Sequence, residues 1–318
     1  MNNDVIGILG SNGKLGRKLI NLFKKNRYNI KCATLNKSTY LEENGIEYQN
    51  FDVSNKREFD KFCKNISLLI GTAGPSRELS QLMYNMATAK GVAYIDPLGE
   101  ELENSRRINK TSITGCGLMP GFTGFALGSI LNLIDKDDLE IEMVSGGNYS
   151  FSKSSKNEIN SIKANLENSG FMKSIEDKKI KFTSILKPQF INIDKFNTII
   201  PYLTKEIIDV LSNFRIKTMH NFIVMPNQNI EQKTDTFKLN LVIHTNNVPL
   251  RAVRLKILDP DYLAAYIIYT CSKNILKQKE RNYGLISASQ YMLKENIKIQ
   301  EITDNIPGIM KKEVNIYG

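Results

Sequence analysis

The stretch Val5-Ile6-Gly7-Ile8-Leu9-Gly10-Ser11-Asn12-Gly13-Lys14-Leu15-Gly16 decides the fold. An apolar run breaks into glycines three residues apart, and Leu15, Leu19, Ile20, Leu22 and Phe23 then repeat at helical spacing. That pattern is strand, tight turn, helix. In a dinucleotide site the first glycine makes the turn, the second lets the backbone approach a diphosphate, and the third lets helix and strand pack closely. The diphosphate would sit on amides at the helix N-terminus. The whole turn, Gly10, Ser11, Asn12, Gly13, Lys14, Leu15 and Gly16, is therefore a candidate cofactor site. Its spacing, G-x-x-G-x-x-G, is looser than G-x-G-x-x-G, so a glycine turn in another α/β protein is the competing reading.

Working outward, the second strand (Tyr28–Leu35) ends at Asn36-Lys37-Ser38. An NAD site commonly places a carboxylate at this position, whereas a basic group accommodates a 2′-phosphate. There is no acid here, and Lys37 with the Ser38 hydroxyl could hold a phosphate. NADP(H) is therefore preferred, with NAD(H) as the alternative, and Lys37 can equally be a solvated loop residue. The third strand (46–51) runs into Asp52-Val53, placed at the adenine edge, with Asp52 also a candidate N-cap. The fourth (67–70) ends in Gly71-Thr72-Ala73-Gly74-Pro75, small residues that let a ligand lie close to the backbone. A helix over about 77–90 leads to a fifth strand, Val92 to Asp96, then Pro97-Leu98-Gly99-Glu100. A sixth (111–115) leads to Cys116-Gly117-Leu118-Met119-Pro120-Gly121-Phe122-Thr123-Gly124. Strands alternating with helices predict an α/β fold, a Rossmann-type doubly wound parallel sheet with every special loop at a strand's carboxyl end.

The motifs at 10–16, 71–75, 91–100 and 117–124 together resemble the saccharopine dehydrogenase-like family of NAD(P)-dependent oxidoreductases. The resemblance covers the chain through about residue 130. It implies a second α+β substrate or dimerisation domain, final helices that return to the Rossmann domain, and hydride transfer at a carbon–nitrogen bond. Saccharopine reductases carry an acidic residue before the proline of the last motif and Asp-His after it. Met119 and Thr123-Gly124 stand there in this chain, making the loop more apolar. That suits a less charged substrate or one borne on a carrier.

The expected domains are residues 1–125, 126–258 and 259–318. In the second half, 155–169 reads as a polar helix with Ile159, Ile162 and Leu166 on one face. Strands are expected at 179–182, 196–200, 221–225 and 237–244, the last two in an antiparallel sheet of the kind that commonly pairs across a homodimer. Helices are expected after Pro260 and from about Ser287.

Hydride transfer calls for position, a dry pocket and often one proton donor. The candidate donors are His220, read at a loop-to-strand junction, Glu100 at the cleft mouth, and Tyr94, one alternation step from Asp96. Asp96 is assigned to the cofactor side. Ordinary packing roles compete for His220 and Tyr94. The four scattered cysteines and two distant histidines suggest neither a disulfide framework nor a metal site.

The formal net charge is +10, but the lysines are dispersed without interleaved aromatics, which reads as compositional bias and not as nucleic-acid binding. No run reaches transmembrane length and no secretory leader is read, so the cytoplasm is the expected location. Three functions stay open: reduction of an imine-type C=N bond, enoyl-type C=C reduction, and dinucleotide sensing or assembly without catalysis.

Overall fold

The computed structural model describes residues 4–35, 45–99, 102–103, 109–147, 160, 164, 171–177, 179–184, 187–189, 191, 197–226, 236–246, 248–278 and 281–314. Contacts group the chain into two units, residues 1–125 with 261–297, and 126–260 with 298–318.

The first unit holds a seven-stranded sheet of β1 (Val5–Leu9), β2 (Asn29–Thr34), β3 (Ile46–Asn50), β4 (Leu68–Gly71), β5 (Ala93–Ile95), β6 (Ser112–Thr114) and β14 (Leu285–Ser287). Its order is β14-β6-β5-β4-β1-β2-β3, and every pairing is parallel. From β3 to β6 this is the doubly wound dinucleotide-binding order, which reverses direction between β1 and β4. Helices α1 (Lys14–Lys25), α2 (Lys56–Phe62) and α3 (Ser76–Ala89) follow β1, β3 and β4. Phe59 and Phe62 of α2 are 0% exposed in one cluster with Met83 and Tyr84 of α3, Leu69 and Val53. Burying each such ring contributes about 1.5–3 kcal/mol. Gly7 leaves room for this packing, since a Cβ there would lie 2.6 Å from Ile66 Cδ1 and the side chain would have to move. A long helix, α6 (Pro260–Lys277), meets α1 through Tyr269 and Phe23, whose ring centroids are 5.4 Å apart. Strand β14 and α7 (Ala288–Lys294) complete this unit, and Ser287 caps α7 by accepting from the Gln290 amide.

The second unit is an eight-stranded mixed sheet. Its strands are β7 (Leu139–Gly146), β8 (Phe171–Glu176), β9 (Lys179–Ser184), β10 (Asn197–Pro201), β11 (Ile216–Pro226), β12 (Phe237–Thr245), β13 (Val248–Ile257) and β15 (Ile309–Val314). Its path is β15-β13-β12-β7-β11-β8-β9, with β10 on β11, and β7–β11 is the parallel pair. Helices α4 (Phe122–Leu131), α5 (Lys205–Leu211) and α8 (Ile299–Thr303) accompany it, and the division between the two units falls inside α4.

Several expectations need correction. The last segment is not wholly helical: Ile309–Val314 is a strand paired with β13. Strand β11 begins at Ile216, so His220 lies inside a strand and not at its junction with a loop. The N-cap of α2 is Asn55, which accepts from the Glu58 amide at 3.3 Å, and not Asp52. Most of the helix expected at 155–169 lies outside the described residues, where Asn160 and Ala164 are helical.

Candidate functional site

The site is built on the carboxyl ends of β1, β4, β5 and β6. Gly10 has φ +78°, and a Cβ on it would lie 2.6 Å from the Ala73 amide nitrogen. It therefore makes the turn and admits the loop after β4. Gly16 seats α1 against that turn, since its Cβ would come 2.6 Å from Gly10 O. Gly13 differs from both. Its φ of −66° is ordinary, and Gly10 O at 3.2 Å is the sole neighbour its Cβ would meet. It is the exposed N-cap of α1 and offers no side-chain cap. The first-turn amides of a helix have no carbonyl four residues back, so an uncapped N-terminus suits an anion. Beside it, Asn12 Oδ1 is buried without a hydrogen-bond donor. A backbone that can be approached and a buried acceptor lacking a donor both fit a diphosphate-bearing ligand with hydroxyl or amide groups.

Ser11 does something else. It is 0% exposed, and its hydroxyl and amide both donate to Ala33 O, at 3.2 and 3.1 Å. Its side chain therefore pins the turn to β2 and is not available to a phosphate, which corrects its assignment as a ligand group. Thr72 pins the neighbouring loop in the same way, its amide and hydroxyl donating to Leu9 O at 2.9 and 2.6 Å. Gly74 and Pro75 stay exposed, and Ser76 N at 3.9 Å is the nearest atom to a Cβ on Gly74.

Below these loops lies a buried polar strut. Tyr94 is 0% and Asp96 1% exposed, and the Tyr94 hydroxyl donates to Asp96 Oδ2 at 2.7 Å. Asp96 Oδ1 accepts the Leu98 amide at 2.8 Å, and its backbone oxygen accepts the Cys116 amide at 2.9 Å. Leu98 O in turn accepts the Gly115 amide at 2.7 Å. The carboxylate thus shapes the loop after β5, and the backbone oxygens of Asp96 and Leu98 tie that loop to the one after β6. The Tyr94 ring also sits under Gly71, where a Cβ would collide with its hydroxyl. Burial, the Asp96 charge and the hydrogen bond hold the Tyr94 pKa well above the usual phenol value. Burial also raises Asp96, against the lowering effect of its hydrogen bonds. Both side chains are buried and bonded to each other, so neither faces a ligand at the open edge of the sheet. Both position the loops instead. This role was missed in the sequence, although the Tyr-x-Asp alternation had placed both residues on one face.

Asp52 is exposed and accepts from the amide and hydroxyl of Ser54 at 2.8 and 2.7 Å, which lowers its pKa. Val53 belongs to the hydrophobic cluster and packs inward, so its side chain is structural. Lys14 is exposed at the start of α1, and Leu15 is half-buried. Asn36, Lys37, Ser38 and Glu100 lie outside the described residues.

His220 belongs to the second unit. It is half-buried on β11, paired in register with Glu142 of β7, and its ring centroid is 6.4 Å from that of Phe222. Burial lowers its pKa below the ordinary imidazole value, against an opposing pull from Glu176. Glu142 is 1% exposed, and its carboxylate accepts the Gln189 and Ile191 amides at 2.7 and 2.9 Å. It thereby holds that segment to the sheet. All four cysteines are buried and free. Among the described residues no helix is long and apolar enough to cross a membrane.

Strand order and glycine turn together define a two-unit α/β protein with a Rossmann-type parallel sheet. More particularly, the fold is saccharopine dehydrogenase-like. The apo saccharopine dehydrogenase (L-Glu forming) of Saccharomyces cerevisiae superposes with TM-score 0.68, covering 99% of this chain and 100% of that one at 12% identity. Weaker, partial likenesses include a probable aspartate-semialdehyde dehydrogenase from Pseudomonas aeruginosa (TM-score 0.42, 14% identity, 76% of this chain and 74% of that one). Another is the Bordetella bronchiseptica enzyme WbmG in complex with NAD (TM-score 0.25, 18% identity, 29% and 36%). No family model and no curated protein sequence matches the chain.

Proposed function

We propose that this chain is an NAD(P)H-dependent oxidoreductase that reduces an imine-type C=N bond in a small amino-acid-derived or carrier-bound biosynthetic intermediate. The observation that carries this reading is the uncapped N-terminus of α1 at the point where the sheet order reverses, next to the unsatisfied Asn12 Oδ1. The whole-length likeness to a protein named for dehydrogenating saccharopine supports the choice of chemistry.

When bound, the nicotinamide dinucleotide supplies the hydride. The chain's own residues do the holding. The amides of the first turn of α1 would take the diphosphate, with Gly13 leaving it room and Lys14 adding charge. Asn12 would accept a hydroxyl or amide proton. Gly74 and Pro75 would border the ligand on ground fixed by Thr72. Lys37 and Ser38 would favour NADPH over NADH. Tyr94 and Asp96 would keep the loops after β5 and β6 in place. His220 is the donor we retain. Because burial lowers its pKa, turnover that needs its proton falls as pH rises, and does so at a lower pH than for an ordinary imidazole.

A second reading, reduction of an activated C=C bond, is favoured by one observation. The described loop from Gly115 to Gly121 bears Leu118 and Met119 and no charged group. Thermal shift with NADPH and NADH, followed by oxidation assays on cyclic imines and enoyl thioesters with deuterated cofactor, tests both. Deuterium on carbon beside nitrogen supports the first reading, and deuterium on a former alkene carbon supports the second. Tight dinucleotide binding with no cofactor oxidation in the presence of either substrate class would sink both in favour of a non-catalytic sensor.

A further inference from the structure

We propose that the groove along α2 in the first unit is a binding site for a small polyanion carrying three or more negative charges. The groove is open to solvent, has a volume of about 690 Å³, and is lined by Lys56, Arg57, Lys61, Lys64 and Lys90, with Asp60 as its sole acid. That carboxylate is already matched, with Oδ1 3.0 Å from Lys90 Nζ, and Lys61 is matched outside the groove by Glu58 at 2.8 Å. Lys56, Arg57 and Lys64 have no acidic partner among the described residues. Lys31 is also close by, its Nζ donating to the Lys64 carbonyl at 3.1 Å, but it is matched by Glu47 at 3.6 Å, so the unmatched cations are Lys56, Arg57 and Lys64. Cations gathered in a concavity raise the local potential more than the same charges spread over a convex face. A chain that needed only solubility gains nothing by collecting them there.

The groove's chemistry narrows the ligand. The aromatic residues of α2, Phe59 and Phe62, are turned fully into the core, and Cys63 is buried with its thiol pushed up to about 12. No aromatic face is therefore offered for stacking a base, and no apolar anchor for an amphipathic helix. What remains is charge in a volume typical of small-molecule sites. Lysine ammonium groups act as movable point charges and suit clustered phosphate or carboxylate oxygens without fixing their geometry. Lys64 and Lys90 lie just before β4 and β5, at the amino-terminal edge of the sheet and opposite the glycine turn. The proposal therefore does not depend on the dinucleotide site.

Titration calorimetry on the full-length protein in 0.1 M salt, with tripolyphosphate and citrate as probes, tests it. One saturable site per chain is expected, weakening steeply with salt. Arg57→Ala/Lys64→Ala, both positions exposed, should weaken binding by about tenfold or more while leaving the circular dichroism and NADPH affinity unchanged. Gly13→Asp should leave probe binding intact. Absence of saturable binding by either probe, several equivalent weak sites, or equal affinity in the double variant would overturn the proposal. Tighter binding of a short DNA duplex through the same residues would replace it with a nucleic-acid surface.

Discussion

Gly13→Asp separates the anion site from the fold that carries it. The native φ of −66° and ψ of 162° are open to any residue, and a Cβ would meet Gly10 O alone, at 3.2 Å. Aspartate is a preferred N-cap, better than glycine by a few tenths of a kcal/mol. Its charge at the positive end of α1 adds about 0.3–1 kcal/mol. The ligand-free protein should therefore melt at the same temperature or up to a few degrees higher, at roughly 2–4 °C per kcal/mol for a unit of this size. A bound diphosphate would face a like charge. At about 4 Å and an effective dielectric near 20 the repulsion is about 4 kcal/mol, which is about a thousandfold in affinity. Gly10→Ala is the contrast. The strained φ of +78° costs a side chain about 1–2 kcal/mol. Collision with the Ala73 amide 2.6 Å away adds about 1–3 kcal/mol. That variant should melt on the order of 10 °C lower. Differential scanning calorimetry with and without NADPH, paired with titration calorimetry, reads both effects. Dinucleotide affinity within twofold of wild type in Gly13→Asp, or destabilisation equal to that of Gly10→Ala, would refute the reasoning.

Tyr94→Phe removes one donor from the buried Asp96 carboxylate and should destabilise by about 1–3 kcal/mol. Asp96 already has a raised folded pKa, and losing a donor raises it further, so both proteins lose stability alike above the ordinary carboxylate value of about 3.9, and the variant's deficit grows once pH rises through the wild-type folded pKa. Denaturant midpoints at pH 5 and pH 8 test the sign, and a deficit that shrinks with pH would be wrong. Gly71→Ala should be destabilising because its methyl meets the Tyr94 hydroxyl, and part of that loss should be recovered in the Gly71→Ala/Tyr94→Phe double variant. Glu142→Gln replaces an acceptor of the Gln189 and Ile191 amides with a group that can accept only one of them well, so limited proteolysis should begin to cut at 187–191. An unchanged digestion pattern would count against that anchoring role.

The parallel sheet was legible because β1, β4 and β5 are short apolar runs, and β1, β3, β4, β5 and β6 each reach a glycine or aspartate within two residues of their ends. Strands β13, β14 and β15 were not. Strand β13 carries Pro249, and the register of its hairpin shifts at Ile243/His244, which breaks the alternation. Strand β14 has only three residues and exists through its pairing with β6, distant in sequence. Strand β15 holds Lys311, Lys312 and Glu313, the charge density that suits the edge of a sheet and looks like a tail in the sequence. The irregularity between Ile216 and Thr218 likewise concealed the start of β11 and shifted His220 from a loop end to a strand interior.

The site was legible to a different depth. Position along the chain puts a residue at a strand's carboxyl end, and topology makes that end the ligand edge. Direction is harder, because a parallel sheet is covered on both faces and period-two alternation no longer separates inside from outside. Tyr94 and Asp96 share a face, and that face is core. Ser11 sits between two turn residues, yet its hydroxyl finds Ala33 O instead of solvent. The residues that stay exposed at the turns without a side chain to commit, Gly13 and Gly74, have the least side-chain chemistry. The polar side chains with fixed partners serve as struts, and the backbone they hold in place is what meets the ligand. Substitutions at the struts should therefore alter dinucleotide affinity through the loops, with a loss of stability alongside, whereas Gly13→Asp lowers affinity without a loss of stability.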